Sequence, residues 1–253
     1  MNVTREQGDF FIYGVNAVKE KLAASKGGVI EVLIADGSTK ESLAAIDGEA
    51  RRQGIRVKYL SSASLTALAA TEKHQGVAAK VSSFNYGSFA RFLESLSDTV
   101  APDCVLAIDG LTDPRNLGAI LRTAEAVGIR HVILPGDRTA SITGAAVKAS
   151  AGAVFHVTVY RVVNLRRALR ELKEKGYWVV GLEVAAEEVI YRQVYPEKLV
   201  VVVGAEGTGL RPLIRSTCDF LASIPMCGNV GSLNVAVAAG VFLYELARRK
   251  NFL

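Results

Sequence analysis

The sequence predicts an α/β protein in two unequal parts, and three observations carry that expectation. From Cys104 onward, short apolar runs alternate with helical patterns. The run Leu199-Val200-Val201-Val202-Val203 is apolar at every position, as a parallel strand covered on both faces must be. Residues 82–100 lose the alternation and become turn-rich, with Ser83-Phe84-Asn85-Tyr86-Gly87-Ser88 at their centre. The chain therefore divides into a small domain over 1–81, a linker over 82–100 and a larger domain over 101–253.

In the first part, strands are expected over 29–34, 56–60 and 76–81, and helices over 15–24, 40–53 and 62–70. Three short strands make a small α/β layer, not a dinucleotide-binding unit. Arg51, Arg52, Arg56, Lys58, Lys73 and His74 recur here, as either a solvated face or an RNA-facing patch. Within the linker, 89–96 reads as a short helix. In the larger domain, strands are expected over 104–109, 131–134, 153–157, 177–182, 199–203 and 219–224. Helices are expected over 117–127, 142–149, 165–175, 210–216 and 233–249. On the last of these, Val237, Val241 and Tyr244 should face the core, with Arg248, Arg249 and Lys250 at the negative end of the helix dipole.

Composition narrows the functional classes. Half of the 253 residues are hydrophobic, which is ample for a core. The net charge of +5 is a mild excess that suits polyanionic partners without demanding them. Cys104, Cys218 and Cys227 are odd in number and lack CxxC spacing, so neither a disulfide framework nor a zinc site is indicated. Met1-Asn2-Val3-Thr4-Arg5-Glu6 opens no signal-peptide pattern, and a cytoplasmic protein is expected. The uncharged stretch 220–244 is too broken by Pro225, Gly228, Asn229, Gly231, Ser232 and Asn234 to span a membrane.

Ligands of open parallel sheets bind beyond the carboxyl ends of the strands, and three loops there are unusual. The first runs Asp109-Gly110-Leu111-Thr112-Asp113-Pro114-Arg115-Asn116-Leu117-Gly118-Ala119-Ile120-Leu121-Arg122, with Pro114 placed where a helix tolerates it. Taken alone, Arg122 reads as a surface charge or salt-bridge partner. The second, Gly204-Ala205-Glu206-Gly207-Thr208-Gly209-Leu210, turns from a buried strand into a helix N-terminus that favours an anion or close backbone approach. Glu206 could simply complement the helix dipole. The third is Ile224-Pro225-Met226-Cys227-Gly228-Asn229-Val230-Gly231-Ser232-Leu233-Asn234, where Ser232 or Asn234 can cap the final helix. Neither GxGxxG nor GxxxxGK[ST] occurs.

Each loop is weak alone, but the three in this order resemble the motifs of the SpoU/TrmH family of RNA ribose 2′-O-methyltransferases, in the SPOUT superfamily. Residues 116–122 resemble its NxGxxxR motif, 204–210 its GxExxGL motif, and 224–226 with 232–235 its third. Phe11-Ile12-Tyr13-Gly14-Val15-Asn16-Ala17-Val18 and His74-Gln75-Gly76-Val77-Ala78 are similar to the substrate-binding domain of the branch that methylates 23S rRNA guanosine. Ala236 departs from the pattern, standing where many members have serine.

The resemblance implies a SPOUT α/β knot, a deep trefoil, behind a small ribosomal-protein-like αβα domain. It implies a homodimer using S-adenosylmethionine to methylate RNA, with 23S rRNA as the substrate and tRNA as the alternative. Gly204, Ile224, Met226 and Leu233 would touch the cofactor. Arg122 would be catalytic, Asn116 would orient Arg122 or the ribose, and Glu206 would hold a helix end or Arg122. Ser232 and Asn234 would position loop and substrate. A non-catalytic RNA-binding protein is the main rival, since Gly228-Asn229-Val230-Gly231 also matches a GxxG backbone clamp. A degenerate enzyme would be expected to lose Arg122 or Asn234, and both are present. A dehydrogenase lacks its phosphate fingerprint.

Overall fold

The computed structural model describes residues 8–24, 27–96 and 104–249. The opening Met1–Glu6 stretch, the end of the linker and Lys250 lie outside the described residues.

In the first part, β1 (Phe10–Tyr13), β2 (Val29–Ala35), β3 (Arg56–Leu60) and β4 (Val77–Val81) form a sheet in the order β1-β4-β2-β3. Strand β2 is parallel to β3 and antiparallel to β4, which is antiparallel to β1. The alternation along β2 explains the layering. Val32 and Ile34 point to the side of α1 (Val15–Ala23) and α2 (Glu41–Arg52), while Leu33 packs with Leu65 of α3 (Ser62–Ala69) on the other face. This sheet has four strands where three were expected. Four residues, Phe10-Phe11-Ile12-Tyr13, were too few to show a period of two, and pairing with β4 fixes them as strand.

The second sheet takes β5 (Cys104–Ile108), β6 (His131–Pro135), β7 (Thr158–Val162), β8 (Trp178–Leu182), β9 (Leu199–Val203) and β10 (Phe220–Ala222) in the order β10-β8-β9-β5-β6-β7. Every pairing in it is parallel. One face carries Leu106, Ile108, Val201 and Val203 against α5 (Pro114–Ala126) and α9 (Val235–Arg249). The other carries Val105, Ala107, Val200 and Val202 against α7 (Leu165–Glu174) and α8 (Pro212–Arg215). Strand β9 lies inside the sheet with all five residues buried, as its uninterrupted apolar run requires.

Two expectations fail here. Residues 153–157 are not a strand: Ala153–Phe155 form a 3-10 turn after α6 (Gly144–Ala149), behind the left-handed pair Ala151 and Gly152. Their apolar side chains pack into the core shared with α5 and α1, and the strand comes later, at β7. On α9 only Val241 of the expected stripe packs against the core. Val237 is 53% and Tyr244 47% exposed, whereas Val235, Ala239, Phe242 and Leu246 are buried. Both stripes are apolar, so periodicity alone could not choose between them.

The segment before β5 is ordered through residue 96. The Gly87 amide donates to the Val159 carbonyl at 2.8 Å, extending the sheet past β7. Helix α4 (Phe89–Ser95) follows, stacking Phe92 on Tyr160 and His131 at 4.9 and 4.5 Å between ring centres. Among the described residues, no helix is long and apolar enough to cross a membrane.

Candidate active site

Strands β5 and β9 are neighbours, so the loops leaving their carboxyl ends start side by side, with the Asp109 amide on the Val203 carbonyl at 2.8 Å. The loop after β5 enters α5 through Asp113, whose side chain accepts from the Arg115 amide at 2.8 Å, and through Pro114. That entry places Asn116 in the first turn of α5. Gly118, two residues on, serves packing: a Cβ there would lie 2.3 Å from the Ala146 carbonyl oxygen of α6.

The loop after β9 closes on itself. Ala205 and Gly209 exchange two backbone hydrogen bonds, at 3.1 and 3.0 Å, with Gly207 and Gly209 in left-handed conformation. Gly204 lies under this turn, where a Cβ would meet the Gly209 carbonyl carbon at 2.3 Å. Arg211 ends the loop and is pinned to fully buried Asp109. Its amide donates at 2.9 Å and its guanidinium at 2.6 Å to the carboxylate.

Asn234 caps α9, its side-chain oxygen accepting from the Ala236 amide at 3.0 Å and the Val237 amide at 3.4 Å. Its amide group donates to Asn116 Oδ1 at 3.2 Å and to Glu206 Oε1 at 3.3 Å. Asn116 Nδ2 donates to Glu206 Oε2 at 3.1 Å and closes the triangle. The three sequence motifs thus meet through one side chain each. The far end of α9 is also anchored. Glu245 sits between Arg248 and Arg249, and hydrogen bonds from those guanidiniums hold its carboxyl down to about 2. Arg249 also donates to the carbonyls of Tyr191 and Gln193 in the connection between β8 and β9.

Beside the triangle lies a cavity of about 310 Å³, within the range of small-molecule sites. Gly204, Ile224, Met226 and Leu233 all line it, together with Glu206 and Ser232. Leu182, Val203 and Val235 give apolar cover, and Glu183 supplies a carboxylate. Arg122 is not part of this arrangement. It stands exposed on α5, six residues beyond Asn116, with no hydrogen bond or ion pair among the described residues.

Three groups at the site escaped the sequence reading. Glu183 follows the carboxyl end of β8, a position that marks ligand contact in parallel sheets. Asp109 and Arg211 are 102 residues apart, and nothing local links them.

Comparison with known proteins bears on the same residues. The model for the SpoU rRNA Methylase family matches residues 103–244, and the model for RNA 2′-O ribose methyltransferase substrate binding matches 11–87. A Staphylococcus haemolyticus protein assigned to the TrmH family of tRNA/rRNA methyltransferases is 40% identical over 96% of this chain and 97% of its own. Among solved structures, an RNA 2′-O ribose methyltransferase aligns with a TM-score of 0.80 at 25% identity, over 98% of this chain and 90% of its own. The SpoU methyltransferase AviRb from Streptomyces viridochromogenes, solved with AdoMet, aligns with a TM-score of 0.79 at 23% identity, over 96% and 91%. The A. aeolicus TrmH/SpoU tRNA modifying enzyme aligns with a TM-score of 0.54 at 31% identity, over 64% of this chain and 82% of its own. With both family models matched in order and the relative aligned nearly end to end, this chain belongs to the SpoU/TrmH family of RNA methyltransferases.

Proposed function

We propose that the protein transfers the methyl group of S-adenosylmethionine to a ribose 2′-hydroxyl of RNA, with a guanosine of 23S rRNA as the target. The observation that carries this reading is the meeting of Asn116, Glu206 and Asn234 beside the cavity lined by Gly204, Ile224, Met226 and Leu233. The cavity suits the cofactor. It offers loop backbone, apolar cover for an adenine, and the Glu183 and Glu206 carboxylates for a cationic ligand. When bound, the cofactor supplies an electrophilic methyl on a sulfonium.

Methylation of a hydroxyl also needs alignment and a route for the proton. The Asn116–Glu206–Asn234 triangle fixes the loops that align the reactants, and Ser232 extends the same wall. A guanidinium is a cation and a poor base, so Arg122 acts by holding phosphate and stabilising developing negative charge. A phosphate oxygen or water then takes the proton. Exposed Arg122 fits a homodimer in which it serves the partner's site. Val237 and Tyr244, exposed on α9 where it packs on α5, supply an apolar surface for that contact. The trefoil knot belongs to the same reading: β10 lies at one sheet edge beside β8, and α9 returns to α5.

Ribosomal RNA is favoured over tRNA because the tRNA-modifying structure spans only 64% of this chain, whereas the substrate-binding model matches residues 11–87. Calorimetry with S-adenosylmethionine, NAD and ATP, followed by mapping of ribose methylation in 23S rRNA and tRNA, tests the assignment. Binding of S-adenosylmethionine with methylated rRNA is the expected result. Methylation confined to tRNA would replace the substrate, and cofactor binding without any RNA methylation would leave a non-catalytic binder. Mixing Arg122→Ala with Gly204→Val protomers tests the shared site, and restored activity in the mixture is expected.

A further inference from the structure

The first part and the larger domain meet along a seam with no room to spare. A Cβ at Gly144, the first residue of α6, would lie 2.2 Å from the Phe11 carbonyl oxygen of β1. One at Gly152 would lie 2.5 Å from Glu20 Cβ on α1. Polar links flank these contacts. Gln75 Oε1 accepts from Lys148 Nζ at 2.7 Å and from the Val15 amide at 3.1 Å, and His156 Nε2 meets Glu20 Oε2 at 2.6 Å.

The turn His74-Gln75-Gly76, which the sequence offered as an RNA-reading element, is built into this seam. His74 is buried, with Nδ1 accepting from the Gly76 amide at 3.0 Å and Nε2 on Thr66 Oγ1 at 3.1 Å. Gln75 is held in left-handed backbone and reaches across to Lys148. Burial lowers the Lys148 pKa, in keeping with an ammonium drawn partly out of water. From the seam the connection to the site is short: α6 packs on α5 at Gly118, and α5 carries Asn116.

We infer that this seam fixes the reach between the RNA-reading part and the methyl-transfer site, with Gln75 and Lys148 as positioning residues. This rests on the proposed RNA methylation. It adds that the RNA is read at one set distance rather than through a swinging domain. The contacts at Gly144 and Gly152 are backbone and Cβ contacts, which no side-chain rotamer change can adjust.

Bridging and weakening the seam test this in opposite directions. Glu20→Cys and His156→Cys, in a Cys227→Ser background, are joined with a short bismaleimide. Single-turnover methylation should stay within about twofold of the unbridged protein, because a docked seam loses no needed motion. A tenfold or greater drop on bridging, with S-adenosylmethionine affinity intact, would overturn the inference. Lys148→Ala and Gln75→Ala should keep RNA affinity while lowering the saturated methylation rate, and Gly144→Val should lower it further, towards about 100-fold, as misplacement by an ångström can. Lost RNA affinity with an unchanged saturated rate would instead make Gln75 and Lys148 RNA contacts. Unaltered cofactor affinity certifies folding in each variant. Failure of the unmodified protein to methylate RNA would count against the proposed function and not against the seam.

Discussion

The two loops that wall the cavity are built on opposite plans. The loop over 204–211 is stitched to itself at Ala205 and Gly209 and to the sheet through Arg211 and buried Asp109. The loop over 224–233 makes no backbone–backbone hydrogen bond among the described residues, and 225–232 are all exposed. Yet the second loop ends at Asn234, which both caps α9 and reaches the first loop at Glu206. A preformed wall faces one that is tied only at its end. On the proposed function, the wall over 225–232 is the one expected to order when ligand binds.

The contrast can be broken most severely at Gly204. Gly204→Val should abolish S-adenosylmethionine binding, by at least about 100-fold in calorimetry, the loss expected when a site's geometry is displaced. The reason differs from simple obstruction of a ligand: the new side chain strikes the loop's own return at Gly209. A folded variant with native affinity would show that the stitched wall is not the rigid one.

Next in size is Asn234. Asn234→Ala should lose about 1 kcal/mol of stability with the helix cap, and methylation should fall by about 100-fold as Asn116 and Glu206 lose their link. Asn234→Asp keeps a capping oxygen but sets a second carboxylate against Glu206. It should recover stability without recovering rate, which separates the cap from the triangle. Equal recovery of both would reduce Asn234 to a cap. Asp109→Asn weakens the stitch itself. Urea unfolding should show a loss of about 3 kcal/mol, the low end for breaking a buried pair because Arg211 is partly exposed.

The smallest effects belong to the loose wall. Gly231→Ala should change the stability of the free protein by no more than about 0.5 kcal/mol, since its Cβ would meet nothing within 4 Å. Hydrogen exchange sharpens the point: amides over 227–232 should exchange fast and slow down when S-adenosylmethionine is added, while the hydrogen-bonded amides of Ala205, Gly209 and Arg211 stay protected throughout. Protection of both loops in the free protein would erase the distinction.

Where one physical constraint governs a segment, the sequence showed it. Strand β9 is apolar at all five positions because both of its faces are covered. Where two constraints overlap, it misled: 153–157 are apolar for packing among α5 and α1 and not for a strand, and α9 carries apolar residues on an exposed side as well as a buried one. Asn116, Glu206 and Asn234 were legible only as three motifs in order, because loop geometry, not helical spacing, joins them. The Asp109–Arg211 pair was not legible, since neither residue stands in a local pattern that names the other.

The Gly87 bridge has a consequence for any attempt to study the catalytic half alone. A parallel sheet ending at β7 would present a row of unpaired amides and carbonyls to solvent, a template for joining other copies edge to edge. Residues 82–96 occupy that edge with one backbone pairing at Gly87 and two phenylalanines laid over Tyr160. A fragment starting at residue 101 would keep every cavity-lining residue named above and lose this cover. Both this fragment and one starting near residue 82 would bare the seam around Val154 and Phe155. Only the first also bares the edge of β7, so it should self-associate more strongly, and the strap behaves as solubility insurance for the sheet it borders.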